Sequence, residues 1–165
     1  TKTSVKFKTK PKTITTVASN SNTTNNTTNS NNNHHEQLAS VDKLNFQMNF
    51  KYNVKQIDVA DEPFKQYIEN LVALVTKNGS VNINLIACAS QVPTRAYKTN
   101  KELAVARAEK AKEQILLALS EKGVDASKVN FAKTISYVGG PQYNIDYLIN
   151  KAIYEKYQFI KIAAY

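Results

Sequence analysis

The residues of this sequence best suited to contacting a ligand lie where an apolar strand passes through a polar loop into a helix. Ser90 to Thr99 is rich in hydroxyl, amide and basic side chains, and Arg107 lies beside this loop within the first two turns of the helix. The chain has a formal net charge of +9, which favours an anionic partner. Charge alone leaves nucleic acid, acidic lipid and the carboxylate-rich peptides of a cell wall open.

Enzyme chemistry is not expected from these residue types. His34 and His35 both lie in an Asn-rich tract, so no histidine base is available in the folded part, and two adjacent histidines without a cysteine or carboxylate frame predict no metal site. No glycine-rich phosphate loop is present either. Cys88, the single cysteine, ends an apolar strand and is expected to be a small buried residue. We therefore predict a non-enzyme without cofactor or metal.

The pattern around the loop predicts the elements that position it. Val81, Ile83 and Leu85 alternate with polar residues, as in a strand with one buried face. Pro93 cannot donate to a strand ladder, and Thr99 with Glu102 has the form of a capping box at a helix start. The helix that follows carries a stripe of small and aliphatic residues at helical spacing, namely Ala104, Ala108, Ala111, Ile115, Ala118 and Leu119.

Similar patterns predict the remaining elements. A strand is expected over 44–52, a helix over 58–79, and two further strands over 129–138 and 159–162. The first strand, the first helix and the second strand form a βαβ unit whose strands should be parallel. Residues 146–157 fit no single period, which leaves a short helix and an irregular loop open.

The chain divides by composition into a tail and one domain. Residues 1–40 are first basic and then rich in Asn, Thr and Ser, with too little apolar surface to offset the entropy of ordering, so we predict a disordered linker. Residues 41–165 should form the domain. No run of about 18 apolar residues and no secretion signal occurs, so an exported protein would need a signal upstream of this sequence.

The spacing of Asn100, Leu103, Arg107 and Ala108 after a strand and loop resembles the signature of OmpA-like C-terminal domains, Asn-x-x-Leu-Ser-x-x-Arg-Ala. The resemblance covers about 43–165. It implies an α/β fold of the α+β sandwich type, with the element order βαβαβ(α)β and a mixed four-stranded sheet packed against two main helices. It also implies non-covalent binding of peptidoglycan and anchoring of an outer-membrane or periplasmic assembly to the cell wall, in the periplasm of a Gram-negative cell.

The resemblance also implies a set of ligand-binding residues. In the family, the Arg of this motif and an Asp at the strand end bind the carboxylate and ammonium of diaminopimelate in the stem peptide. Arg107 matches the Arg, and the residues expected to line the rest of the site are Ser90, Asn100, Thr94, Arg95, Tyr97 and Leu103. Two features depart from the family: Ser90 stands where the Asp is expected, and Tyr157-Gln158 replaces the paired arginines that usually precede the last strand.

Other interpretations of the same residues remain open. Arg107 could be a solvated helix residue whose stem covers apolar surface, and Ser90 and Asn100 could be ordinary loop and cap residues. Arg95 and Tyr97 could be exposed loop. The missing Asp favours an alternative in which the domain keeps the fold and serves as a protein–protein interaction scaffold in the envelope. A nucleic-acid or acidic-surface binder, whose affinity would fall steeply with salt, is the third hypothesis; the resemblance argues against nucleic acid.

Overall fold

The structure is a computed structural model that describes residues 43–165. The linker expected over 1–40, the two histidines within it and the domain start at 41 lie outside the described residues. In chain order the elements are β1 (Leu44–Asn49), α1 (Glu62–Asn78), β2 (Val81–Ser90), α2 (Asn100–Glu121), a short 3-10 helix (Ala126–Lys128), β3 (Val129–Gly139), α3 (Tyr147–Glu155) and β4 (Phe159–Ala164).

The four strands form one mixed sheet in the order β1-β4-β2-β3. β2 and β3 are parallel, whereas β4 is antiparallel to both of its neighbours. The predicted fold class is therefore confirmed, with a mixed four-stranded sheet and two main helices. β1 and β2 run in the same direction as expected, but β4, the last strand in the chain, lies between them.

The core lies between the sheet and the helices α1 and α2. The alternation in β2 places Ile83 and Leu85 on the buried face, where they join the aromatic and aliphatic residues of α1. Ala104, Ala108 and Ala111 of α2 are fully buried, and their small side chains allow this helix to approach the sheet closely. Arg107 lies on the same helix beside these alanines, and its side chain is buried with them.

The first strand is shorter than the alternating pattern predicts, and the segment that follows it matters for the site. β1 ends at Asn49, although the Phe50 N–H still donates to the Gln158 carbonyl at 2.7 Å. Beyond it the chain turns, with Asn53 in the left-handed region at φ 58°. We refer to residues 50–56 as the β1–α1 segment. The carbonyls of Lys51 and Val54 in this segment accept hydrogen bonds from a side chain of α2.

The ambiguous region 146–157 forms the helix α3 with a kink at Asn150, where φ is −108° and ψ is 23°. Tyr154 is buried and its hydroxyl donates to the Asp146 carboxylate at 2.6 Å. Leu148 and Ile149, in contrast, are 93% and 86% exposed. Large side chains occur on both faces of this helix, which is why the sequence shows no single period there.

Candidate ligand-binding site

The loop between β2 and α2 is held in place by the β1–α1 segment. The Thr94 hydroxyl donates to Asn53 Oδ1 at 2.9 Å, and the Tyr52 hydroxyl donates to the Pro93 carbonyl. The Tyr52 ring also lies 5.6 Å from the Tyr147 ring of α3, measured between centroids. The loop, the segment and α3 are thus linked through two tyrosines and one threonine.

Thr94 and Asn100 also fix the shape of the loop from within. The Thr94 N–H donates to Asn100 Oδ1 at 3.0 Å, and the Thr94 hydroxyl accepts from the Ala96 N–H at 3.2 Å. Asn100 is the first residue of α2. Both side chains therefore have a structural use in the loop in addition to any contact with a ligand.

The start of α2 is capped, with one difference from the predicted capping box. The Thr99 hydroxyl accepts from the Glu102 N–H at 3.1 Å, as the motif predicts. The Glu102 carboxylate accepts from the Lys98 N–H at 3.1 Å, one residue before the cap. Glu102 thus places a negative charge at the helix start, where an external anion would otherwise be favoured by the helix dipole.

Arg107 is fully buried beneath the β1–α1 segment. Its Nε donates to the Val54 carbonyl at 2.9 Å and its Nη1 donates to the Cys88 carbonyl at 2.8 Å. Its Nη2 donates to Gln158 Oε1 at 2.9 Å and more weakly to the Lys51 carbonyl at 3.5 Å. The interpretation of Arg107 as a solvated helix residue is therefore wrong, because its guanidinium joins β2, the β1–α1 segment and the start of β4.

The charge on Arg107 is matched by dipoles and not by a carboxylate. Its Cζ lies 4.6 Å from the centroid of the Phe50 ring, a cation–π contact. Burial lowers the pKa of Arg107 to about 10, so the side chain stays protonated at neutral pH. Within residues 43–165, no Asp or Glu side chain forms an ion pair with it. Buried charges are usually paired with an opposite charge, so this arrangement is electrostatically incomplete.

Gln158, which accepts a hydrogen bond from Arg107, also has an unsatisfied polar atom. Its side chain is 1% exposed, and its Nε2 is buried without a hydrogen-bond partner among the described residues. A buried unsatisfied donor typically costs about 1–3 kcal/mol. Arg107 and Gln158 therefore share one requirement, since an added anion or hydrogen-bond acceptor would satisfy both.

The other residues expected at the site differ in how far they are buried. Ser90 is buried at the end of β2, and Leu103 packs with Ala89, Ala104 and Tyr97 in a small apolar cluster. Asn100, Thr94 and Tyr97 are partly exposed, and Arg95 is exposed. The residues thus share one end of the sheet, with the acid-binding candidate beneath the surface and the loop residues above it.

Gln158, Phe50 and the carbonyls of the β1–α1 segment are the site features that sequence reasoning missed. The position of Gln158 was noticeable as a departure from the family, at the place where paired arginines usually stand. Its pairing with Arg107, 51 positions earlier, was not apparent from spacing. Main-chain carbonyls that accept from a side chain cannot be identified from a sequence, because every residue has a carbonyl.

Cys88 is fully buried, as predicted, and desolvation raises the pKa of its thiol. Over the described part of the chain, no group of three or more His, Cys, Asp or Glu side chains is arranged to hold a metal ion. The helices within 43–165 include none that is both long enough and apolar enough to cross a membrane.

No protein-family model and no curated protein matches the chain. Among solved structures, the chain is similar to the peptidoglycan-associated lipoprotein of Burkholderia pseudomallei, with 12% identity, a TM-score of 0.49, and coverage of 72% of this chain and 89% of that one. It is also similar to the OmpA-like domain of FopA1 from Francisella tularensis, with 15% identity, a TM-score of 0.44, and coverage of 74% and 72%.

A third similar structure is the cell wall anchor of the type VI secretion system from Pseudomonas aeruginosa, with 13% identity, a TM-score of 0.45, and coverage of 74% of this chain and 81% of that one. At such identities and TM-scores, the binding properties of this chain have to be argued from its own side chains.

Proposed function

We propose that this domain binds peptidoglycan non-covalently, in the periplasm, and anchors an envelope assembly to the cell wall. The observation that carries the proposal is the buried guanidinium of Arg107. Within residues 43–165 it has no carboxylate partner, and Nε2 of the adjacent Gln158 amide has no hydrogen-bond partner. A diaminopimelate carboxylate from the stem peptide would supply the missing negative charge. Such a charge-assisted bond contributes about 1.5–3 kcal/mol, or roughly ten- to a hundredfold in affinity.

The ligand reaches Arg107 by displacing part of the β1–α1 segment. The weakest of the guanidinium contacts is the one from Nη2 to the Lys51 carbonyl, at 3.5 Å. Exchanging this contact for a bond to a carboxylate gains a charge-assisted interaction and costs little. The stronger bonds to Val54 and Cys88 then keep the guanidinium oriented while the edge near Lys51 opens.

The loop residues would contact the rest of the stem peptide. Arg95 and Tyr97 lie at the surface of the loop and can meet the peptide backbone or a second carboxylate. Thr94 and Asn100 hold the loop in shape, and Leu103 supports it from below through Tyr97. These five residues provide the shape of the proposed site, and Arg107 provides its charge.

The ammonium end of diaminopimelate has a weaker partner here than in the family. Ser90 can accept one hydrogen bond from an ammonium group but carries no charge to balance it. We expect Ser90→Asp to tighten binding of a diaminopimelate peptide about tenfold or more, with Ser90→Asn as the uncharged control of similar size. Because Ser90 is buried, the Asp variant should also be less stable without ligand.

Co-sedimentation with purified sacculi tests the proposal. The wild-type chain should pellet with sacculi at both low and high salt, and Arg107→Lys should lower the bound fraction about tenfold because it loses the planar donor fork. Leu119→Ala is the matched control, since it removes a buried side chain at the other end of α2. Each variant is first shown to be folded by circular dichroism. Absence of pelleting for the wild type would count decisively against wall binding.

A protein–protein interaction scaffold is the second candidate. It is favoured by the hydrogen bonds that Arg107 already makes inside the domain and by Ser90 in place of an acid. In that case Arg107 acts only in folding, so a folded Arg107→Lys variant would pellet with sacculi no less than Leu119→Ala does. The two candidates therefore predict different results for this pair: wall binding predicts that Arg107→Lys pellets less than Leu119→Ala, and the scaffold predicts no such deficit.

A further inference from the structure

The polar and aromatic side chains of α3 and of the residues just before it form a local network. The Tyr154 hydroxyl donates to Asp146 Oδ1 at 2.6 Å, and Asn150 Nδ2 donates to Asp146 Oδ2 at 2.6 Å. The rings of Tyr143 and Tyr147 lie 5.8 Å and 6.4 Å from the Tyr154 ring. These contacts lie within residues 143–154, and the Tyr52–Tyr147 ring contact at 5.6 Å links this face of α3 to the β1–α1 segment.

The aliphatic face of the same helix is left in solvent. We define the α3 stripe as three exposed aliphatic residues of α3 together with Ile145, which precedes the helix; their exposed fractions are 93% for Leu148, 86% for Ile149, 45% for Ile153 and 89% for Ile145. Ile149 and Ile153 are four residues apart, as on one side of a helix, and Leu148 adjoins Ile149. A single exposed Leu is ordinary, whereas four large aliphatic side chains exposed within nine consecutive residues, 145–153, are not.

Ile145 gives an independent sign that this surface has a use. It is a β-branched residue with φ 60°, in the left-handed region that such residues rarely adopt. Its side chain is almost fully exposed, so no packing within the described domain offsets this strain. Strained residues that persist in a fold are concentrated at sites of function.

The surroundings of the α3 stripe are basic. Lys151 and Lys156 are exposed on α3 and at its end, and Lys51 lines a pocket of about 290 Å³ together with Ala152, Glu155 and Lys156. Glu155 is the carboxylate in this group, and it lies 3.6 Å from Lys151 Nζ. The surface therefore combines an aliphatic ridge with a positive rim.

We infer that the α3 stripe is a docking site for an anionic lipid surface. Apolar side chains on one helix face, flanked by lysines, are the pattern of helices that lie in a membrane interface. A stable dimer would need roughly 800 Å² from each partner, which four side chains on a helix of this length do not provide. A lipid surface needs no matching shape, and each lysine near it adds attraction to anionic headgroups.

This inference is independent of wall binding, because the α3 stripe and Arg107 use different residues. Both can be engaged at once if the domain sits between a membrane and the wall. A variant that removes the stripe should therefore leave pelleting with sacculi unchanged, and failure of either proposal leaves the other standing.

Flotation with vesicles tests the inference on the full chain. The wild type should float with vesicles of phosphatidylethanolamine and phosphatidylglycerol at a molar ratio of about 3:1, and much less with phosphatidylcholine alone. The double variant Leu148→Ser, Ile149→Ser should lower the bound fraction at least fivefold. Leu117→Ser is the matched control, since Leu117 is 59% exposed on α2, outside the stripe, and its loss should leave flotation unchanged.

A second pair of variants separates this docking from general attraction of a basic chain. Lys51→Gln with Lys156→Gln should weaken flotation, whereas Lys65→Gln with Lys77→Gln on α1 removes the same charge elsewhere and should weaken it less. Equal flotation of the stripe variant and the wild type would overturn the inference, as would no flotation at all. Stripe-dependent dimers in sedimentation velocity, without flotation, would also overturn it and point to a second copy of the chain.

Discussion

Arg107 Nη2 donates to Gln158 Oε1 at 2.9 Å, so α2 and the start of β4 are joined by a buried cation and a neutral amide. The amide meets part of the hydrogen-bonding demand of the cation but none of its charge. The unpartnered Nε2 of Gln158 means that the pair has a donor to spare and lacks an acceptor. The proposed function follows from this imbalance.

Changing Gln158 to Glu should supply the missing charge from within the protein. We expect Gln158→Glu to be at least as stable as the wild type, because it pairs Arg107 and removes the buried unsatisfied donor. Gln158→Met, which removes the acceptor without adding charge, should be less stable than both. Urea denaturation of the wild type and the two variants measures this order of stability. Gln158→Glu should also bind sacculi more weakly, since an internal carboxylate competes with the external one.

Arg107 should be a large contributor to stability as well as to binding. Arg107→Ala leaves the carbonyls of Val54 and Cys88 without their donor, and we expect a loss of about 3–5 kcal/mol in the free energy of unfolding. Lys110→Ala is the control on the same helix, because Lys110 pairs with Glu113 near the surface, and it should cost less than about 1 kcal/mol. Urea denaturation of the two variants measures both, and similar losses would contradict the buried role of Arg107.

Two glycines with similar backbone conformations should respond differently to the same substitution. Gly140 has φ 92°, and a Cβ there would lie 2.6 Å from Cδ2 of the Tyr157 ring. Gly123 has φ 80° with nothing within 4 Å of its Cβ position. Gly123→Ala should cost about 1 kcal/mol from backbone strain alone. Gly140→Ala should cost clearly more, because the ring next to Gln158 must shift; equal midpoints in urea would argue against this packing.

The stability of the α3 segment should depend on pH through Asp146. Hydrogen bonds from Tyr154 and Asn150 lower the pKa of Asp146 below its usual 3.8. The charged form is thus favoured by folding, and its contribution to stability is complete above pH 3.8 and is lost as the pH falls through the lower folded-state value. Thermal unfolding of the wild type and Asp146→Asn should therefore differ at neutral pH and converge in acid. A difference that stays constant down to about pH 2 would contradict this.

Much of the fold could be predicted because its patterns are local. The alternation of Val81, Ile83 and Leu85 and the alanine stripe of α2 each have one period, and both elements are found where expected. The strand order could not be read in the same way, because the placement of β4 between β1 and β2 is a long-range pairing. β1 was predicted too long, because Phe50 and Tyr52 continue its alternation after the chain has turned out of the sheet.

The site was less predictable than the fold for a specific reason. The position of Arg107 beside the loop follows from its place on α2, but its orientation depends on carbonyls of the β1–α1 segment and on Gln158, all distant in sequence. Which face of α3 is buried could not be predicted for the same reason. Tyr154 and Leu148 are both large and largely apolar, and only the hydrogen bond from Tyr154 to Asp146 explains why Tyr154 is buried while Leu148 is exposed. A sequence gives the type of each side chain, but it does not show which distant residues will be its hydrogen-bond partners.

Titration of the isotope-labelled chain with a soluble diaminopimelate-containing stem peptide tests the central proposal most directly, because it observes the Arg107–Gln158 pair itself. The account predicts saturable changes in the NMR signals of the Gln158 side-chain amide and the Arg107 Nε–H, with a much weaker effect from a peptide whose carboxylates are amidated. If both signals stay unmoved at millimolar peptide, or if both peptides act equally, Arg107 does not receive an external carboxylate.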